Sequence, residues 1–406
     1  MSTLARAAGA LCAVLALAPS RARAGEADYT VSLQTQLRAR SSLPGDEGTG
    51  PTLDFELLPV AAGRLGGSGF LFDLSYRPSL VFRDLPGKGP FLPLHRVGAG
   101  LQWQRVWTLV QLRGEGAKGL VDLGPLLNND GSLGPVVVPA STTLGLVNYE
   151  RLMGSLSLQQ GLSAHVTLLA EGSYEVSGST DNVQLPLQWG PRAVLQVRVE
   201  ATRVDTLTTA VLGYHADFNT GQSQTVVEAT QKWARRLSRQ LLGEARAGIA
   251  VVKQEVLPQT AGEALLSTLA VEPVASLSLT SNVPLRFSTL ELRARVGLEP
   301  FSDRFTATVY ERLDSTVGAA WVLRKDVAFG LAVSAARSFP PASGATPPDF
   351  YVAGETSVAW TLQPWLVLGA TLRASHTELL SPGSTPINQW LTSLSVTVRN
   401  HESTSW

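Results

Sequence analysis

Apolar and polar residues alternate with a period of two along most of this chain. In residues 289–299, Leu290, Leu292, Ala294, Val296 and Leu298 share one face of an extended backbone. Thr289, Glu291, Arg293, Arg295, Gly297 and Glu299 share the other. Successive strand side chains point to opposite sides, so such a segment has one oily face and one charged face. Segment 28–40 sets Val31, Leu33, Leu37 and Ala39 against Ser32, Gln34, Gln36, Arg38 and Arg40. Segments 190–203 and 364–378 behave the same way.

Marking breaks between alternating runs predicts eighteen strands, at 28–40, 52–61, 69–83, 93–103, 106–115, 142–159, 164–177, 190–203, 206–218, 223–236, 239–254, 264–281, 286–299, 306–323, 326–338, 351–363, 364–378 and 387–399. Nearly all are long enough to cross a bilayer as tilted strands, which needs about 9–11 residues. Tight turns are expected at Gln104-Arg105, Gly161-Leu162-Ser163, Val204-Asp205, Leu237-Ser238, Arg324-Lys325, Gln363-Pro364 and Val283-Pro284, with a Gly-rich turn over 62–68. Longer connections hold the Pro, Gly, Asn and Asp clusters, at 41–51, 84–92, 116–141, 178–189, 255–263, 339–350 and 379–387. Short turns at one end and long loops at the other are the asymmetry of bacterial outer-membrane barrels. The expected fold is all-β, a transmembrane antiparallel up-and-down β-barrel of about 18 strands, lipid outside and water inside. Soluble sandwiches also alternate, but the strand lengths and the Arg/Glu faces of central strands argue against one.

Aromatic residues add two rims. Trp103, Trp107, Trp233, Trp321 and Trp365 lie close to tight turns, as interfacial aromatics would. Tyr76, Phe82, Tyr174, Phe218, Phe339, Phe350 and Tyr351 lie near loop ends. Residues 1–24 carry Arg6, an apolar run from Ala7 to Ala18, and a small-x-small site at Ala22-Arg23-Ala24. That layout is a secretory signal peptide, cleaved on export through the inner membrane to leave a barrel over 25–400 and a short tail over 401–406. Cys12, the single cysteine, lies in that apolar run, and Gly9 stands where a lipid-attachment signal wants Leu. The mature chain therefore has no thiol chemistry.

Charged residues make up 16% of the chain, with basic and acidic residues equal at 33 each. Removal of the leader takes Arg6, Arg21 and Arg23 with it, leaving a mildly acidic chain with no pull toward nucleic acid. The five histidines are dispersed, with no metal-ligand spacing, phosphate loop or calcium loop, so no metal, cofactor or catalytic residue is expected. His165 follows Ser163 closely but has no acid partner in the sequence.

Two features carry candidate function. Alternation places Arg38, Arg40, Arg113, Glu115, Arg192, Arg198, Glu200, Glu228, Lys232, Glu244, Arg246, Glu291, Arg293, Arg295 and Arg373 on the inner face, lining a solute path. Their guanidinium forks suit either cross-strand carboxylates or anionic solutes, and the sequence leaves both open. The second feature is the loop at 116–141, which follows the fifth strand and contains Leu120, Val121, Leu123, Leu126 and Leu127. A loop that apolar is expected to fold inward and narrow the pore.

A barrel of this length, with Arg-, Gly- and Leu-rich strands and a myxobacterial-like texture, resembles the barrel components of Wzx/Wzy-type capsule and exopolysaccharide export systems. The resemblance includes Asn148-Tyr149-Glu150-Arg151 and Val309-Tyr310-Glu311-Arg312, each leading into a strand. It implies a stand-alone eighteen-stranded barrel that completes an export channel for a polysaccharide with a periplasmic export partner. The chain shows no periplasmic arm of its own, so delivery would fall to that partner, and insertion to the barrel-assembly machinery. A diffusion porin for small solutes and a non-conducting structural barrel are the alternatives. The final strand's alternation of Leu394, Val396 and Val398 stops before Asn400, and Trp406 stands out of pattern.

Overall fold

The computed structural model describes residues 27–41, 51–67, 69–83, 91–122, 146–182, 185–256, 266–303, 307–323, 326–339, 348–379 and 387–400. Residues 1–26, which include the expected leader, most of the long 116–141 segment and the last six residues lie outside them.

The described residues form one antiparallel sheet closed on itself. Its strands run β1 (Ala27–Arg40), β2 (Thr52–Gly67), β3 (Phe70–Tyr76), β4 (Ser79–Phe82), β5 (Phe91–Arg105), β6 (Thr108–Asp122), β7 (Leu146–Ser163), β8 (Val166–Gly178), β9 (Gln188–Glu200) and β10 (Asp205–Phe218). They continue with β11 (Ser223–Arg236), β12 (Leu241–Val256), β13 (Leu266–Leu285), β14 (Ser288–Asp303), β15 (Thr308–Leu323), β16 (Val327–Phe339), β17 (Pro348–Gln363), β18 (Leu366–Leu379) and β19 (Ile387–Arg399). Apart from β3 and β4, which do not pair with each other, each strand pairs with its sequence neighbours, and β19 returns to β1 with Leu37 opposite Leu394 and Arg38 opposite Ser393. Closure gives every ladder group a partner, which is what lets strands cross hydrocarbon.

β3 and β4 form a single stave. Both pair β2 on one side and β5 on the other without change of register, and only Arg77-Pro78 interrupts the ladder. Proline has no amide hydrogen to donate, which explains the gap. The barrel therefore has eighteen staves, the number read from the alternation.

The large apolar side chains on the outer face are exposed, among them Leu101, Leu152, Leu156, Leu195, Val317 and Leu394. In water that would be a liability; against acyl chains it is the stabilising surface. Trp233, Trp321, Trp107 and Trp365 are also exposed, at or beside the tight turns. Trp103 lies on the same rim, against Phe70 and under Arg105. Trp233 is held by its indole N–H donating to Asp205 at 3.0 Å, and Asp205 also accepts from Thr202 at 2.7 Å. Two loop-end aromatics depart from the sequence expectation, because Phe218 and Tyr351 are buried inside the barrel.

Several turn positions shift. Gln104 and Arg105 belong to β5, residues 161–163 to β7, and Val283 and Pro284 to β13, where Pro284 lies opposite Thr289. The Gly-rich 62–66 stretch continues β2, paired with both β1 and β3. A closed sheet draws turn-forming residues into its ladder wherever both neighbours continue. Residues 116–122 likewise extend β6, so that part of the expected loop is strand.

Candidate functional site

All fifteen predicted inner residues fall on the face opposite the exposed apolar set. Register links them around the ring: Arg38 lies opposite Asp54, Arg113 opposite Gly100 and Ser155, and Arg192 opposite Ser173 and Tyr214. Lys232 lies opposite Arg246, and Arg373 opposite Glu355. Several inner residues were not singled out in the sequence, namely Asp54, Glu56, Asp73, Arg96, Arg151, Glu175, Arg312 and Asp314. Their signal was present, since each sits between outward positions of an alternating run.

The inner wall is chemically uneven. From β11 to β15 its cations are tied to carboxylates. Lys232 meets Glu244 at 3.3 Å, and Arg246 meets both Glu228 and Glu299, the latter at 3.0 Å. Arg293 pairs with Glu291, and Arg295 with Glu299 at 2.5 Å and Asp314 at 3.5 Å. On β1 and β2, Arg38 pairs with Glu56 and Arg40 with Asp54 at 3.3 Å, with all four side chains buried. Ser79 Oγ donates to the second Glu56 oxygen at 2.6 Å. Arg373 donates to the Tyr351 hydroxyl at 3.0 Å. Arg198 and Glu200 approach only to 3.8 Å at an exposed position. Arg113 and Arg192 make no ion pair among the described residues, and neither does Glu115.

Two external connections fold into the lumen. β12 and β15 are not ladder neighbours, yet they touch, and the contact crosses the inner face of β13 and β14. Val309, fully buried at the start of β15, packs on Val226, Ala250, Val252 and Val274 of the inner wall. Its amide donates to the Gln254 side chain at 2.8 Å, and the Gln224 amide donates to Ser302 on the other arm of the hairpin. Arg312 lies over the Phe301 ring at 4.4 Å, closing the hairpin on itself. Ala307 beside the tip has φ 52°, a left-handed backbone that a residue with Cβ adopts only when its surroundings require it. The β8–β9 connection does the same on the opposite wall. Leu185 is buried among Leu94, Val121, Val147 and Tyr149 of β5, β6 and β7. Gly178 makes that turn possible, because its φ is 132° and a Cβ there would collide with the Pro186 carbonyl.

These anchors explain apolar residues such as Val226, Val252 and Val147 on an inner face that is otherwise polar. They also sit on the repeated Tyr-Glu-Arg segments. Tyr149 and Tyr310 are both buried, and Arg151 and Arg312 both face inward, Arg151 meeting Glu175 at 3.1 Å. The inward-folding part of the molecule thus includes β14–β15, where the sequence pointed to 116–141. Residues 123–145 of that segment lie outside the described residues.

A profile of the EpsX exopolysaccharide export family matches residues 153–402, more than half of the sequence. The chain belongs to that family. The match runs from within β7 to beyond β19, so it includes the ion-paired wall and the β14–β15 hairpin. Among solved structures, the chain is similar to OccAB3 of Acinetobacter baumannii, with 10% identity over 92% of this chain and 99% of that one at a TM-score of 0.47. It is similar to OpdK of Pseudomonas aeruginosa at 8% identity, 92% and 98% coverage and a TM-score of 0.48. A BenF-like porin of Pseudomonas fluorescens Pf-5 gives 10% identity, 92% and 99% coverage and a TM-score of 0.47. These likenesses carry no functional argument. No curated protein matches the sequence. Family and fold together make this an outer-membrane barrel of an export family, with a polar lumen and two folded-in loops.

Proposed function

We propose that the barrel is the outer-membrane exit for an exopolysaccharide delivered by a periplasmic export protein. The observation that carries this reading is membership of an exopolysaccharide export family across most of the barrel wall. Supporting it, a ring of eighteen staves encloses an aqueous lumen rather than a packed core. The partner would dock on the tight-turn end, where two-residue turns at 106–107, 164–165, 286–287 and 364–365 join the strands. Insertion by the barrel-assembly machinery and passage through the inner membrane behind a cleaved leader belong to the same proposal. The folded-in β8–β9 and β14–β15 connections would act as the restriction that polymer displaces.

Deletion of the gene tests this directly. Surface polymer should disappear while polymer or its lipid-linked repeat accumulates inside the cell, and restoration should need the intact barrel. Normal surface polymer in the deletion strain would rule the reading out. Purified barrel that passes small sugars into liposomes, combined with normal polymer export, would favour a diffusion porin instead.

A further inference from the structure

The two walls of the lumen differ in a way that bears on what passes. Between β11 and β15 the inner cations are neutralised by carboxylates within contact distance. Between β3 and β7 three of them, Arg77, Arg96 and Arg113, have no carboxylate within ion-pair distance among the described residues. There a cavity of about 400 Å³ is lined by Arg77, Arg96, Arg113 and Arg151, with only Asp73 and Glu115 as acids. Its volume falls within the roughly 300–1,000 Å³ typical of small-ligand sites. Arg151 is engaged by Glu175, but Arg77, Arg96 and Arg113 form no ion pair among the described residues. Arg77 and Arg96 are direct neighbours, because the Arg77 amide donates to the Arg96 carbonyl at 2.9 Å.

The wall beneath is built thin. Gly98 and Gly100 face the lumen on β5, opposite Ser75 and Asp73 of β3. A Cβ on Gly98 would come within 3.0 Å of Ser75 Oγ, and one on Gly100 would collide with the Asp73 carboxylate. The two glycines thus leave room for the Ser75 hydroxyl and the Asp73 carboxylate, which lie over them beneath the guanidinium groups. Tyr149 contributes to the same cavity and to the Leu185 anchor, so the pocket adjoins the narrowing made by the β8–β9 connection. Four guanidinium groups outnumber the two carboxylates of this lining, so the excess positive charge favours an added anion, and a planar fork matches a carboxylate in bidentate fashion.

We propose that this cavity is a binding subsite for the carboxylate of an acidic sugar unit in the exported polymer. The inference rests on the export reading above and adds the substrate class. It makes the free wall a foothold for uronate-bearing chains, while the paired wall is inert toward them. A phosphate-bearing unit would offer the forks similar chemistry, so the test separates the two.

Isothermal titration of the full-length, detergent-solubilised barrel provides that test. Hexagalacturonate should bind at least tenfold more tightly than maltohexaose or inorganic phosphate. The double substitution Arg96→Ser/Arg113→Ser should weaken hexagalacturonate at least tenfold. Arg239→Ser, in the β11–β12 turn away from the cavity, should leave it within twofold. If the double variant fails to show heat-modifiable migration, Arg113→Lys serves in its place, keeping charge but losing the fork, and should weaken binding severalfold. Equal affinity for the acidic and neutral oligosaccharides, equal affinity for inorganic phosphate, or no response to the arginine substitutions would overturn the assignment. A barrel required for surface polymer that nevertheless shows no acidic preference would overturn this inference alone and leave the export reading standing.

Discussion

At the scale of single residues, the buried cluster on β1 and β2 is the most consequential chemistry outside the cavity. Arg38 and Glu56 are both almost fully buried, and Ser79 completes the coordination of Glu56. A buried pair adds little net stability relative to an apolar pair of similar size, but removing one partner leaves an uncompensated charge. Glu56→Leu alone should therefore cost about 3 kcal/mol in urea unfolding of the lipid-reconstituted barrel. Arg38→Leu/Glu56→Leu together should recover most of that loss. An additive double variant would mean that the two side chains stand independently. Arg293 and Arg295 face a different balance. Their substitution by Ser would strand Glu291 and Asp314 beside the pore, with Glu299 still held by Arg246, so cation preference should rise in planar-bilayer reversal potentials.

At the scale of elements, the β14–β15 hairpin is the part whose proposed restricting role can be tested through its anchor. Its hold on the wall is mainly apolar, through Val309 against four inner-wall side chains, supplemented by the Gln254 and Gln224 hydrogen bonds. Val309→Asp puts a charge into that contact and should release the hairpin, raising single-channel conductance. Unchanged conductance would show that the hairpin does not restrict the pore. Cys12 is the single cysteine, so with Cys12→Ser a Val252→Cys/Val309→Cys pair can be introduced without competing thiols. Oxidised, that pair should hold conductance at the unmodified level even in a Val309-destabilised background such as Gln254→Ala, and reduction should raise it. The 116–141 segment stands out in the sequence because its apolar residues fall within one short stretch of chain. The four apolar inner residues under Val309 are spread over three strands, and no linear reading collects them.

At the scale of the whole molecule, the ring closes through a seam that the alternation does not announce. The pattern of β19 ends at Arg399, and Asn400 reads as the start of a polar tail. In the structure, the Asn400 side-chain oxygen accepts from the Val31 amide at 2.9 Å and its amide donates to the Tyr29 carbonyl at 3.2 Å. Its own backbone N–H donates to the Val31 carbonyl at 3.0 Å, so one residue clips the last strand to the first. Asn400→Ala should cost about 1–2 kcal/mol for the two side-chain bonds and lower the temperature at which the compact, heat-modifiable form is lost. An unaltered transition would place the seam's strength entirely in the β1–β19 ladder.

The sequence alone determined the architecture, because in a membrane barrel the constraint is local. Every strand must present lipid with apolar side chains and its interior with polar ones, and that requirement prints a period of two on each segment, from Val31–Ala39 to Leu394–Val398. The number of staves follows from counting those segments. Pairing was decided only by the tertiary structure, since which carboxylate reaches which arginine depends on the register between neighbouring strands. Arg295 and Arg113 look alike in their own strands. One is answered by Asp314 and Glu299, and the other faces glycine and serine, because the neighbouring staves differ. The inward folding of β8–β9 and β14–β15 was decided the same way, by apolar side chains that meet only when the ring is closed.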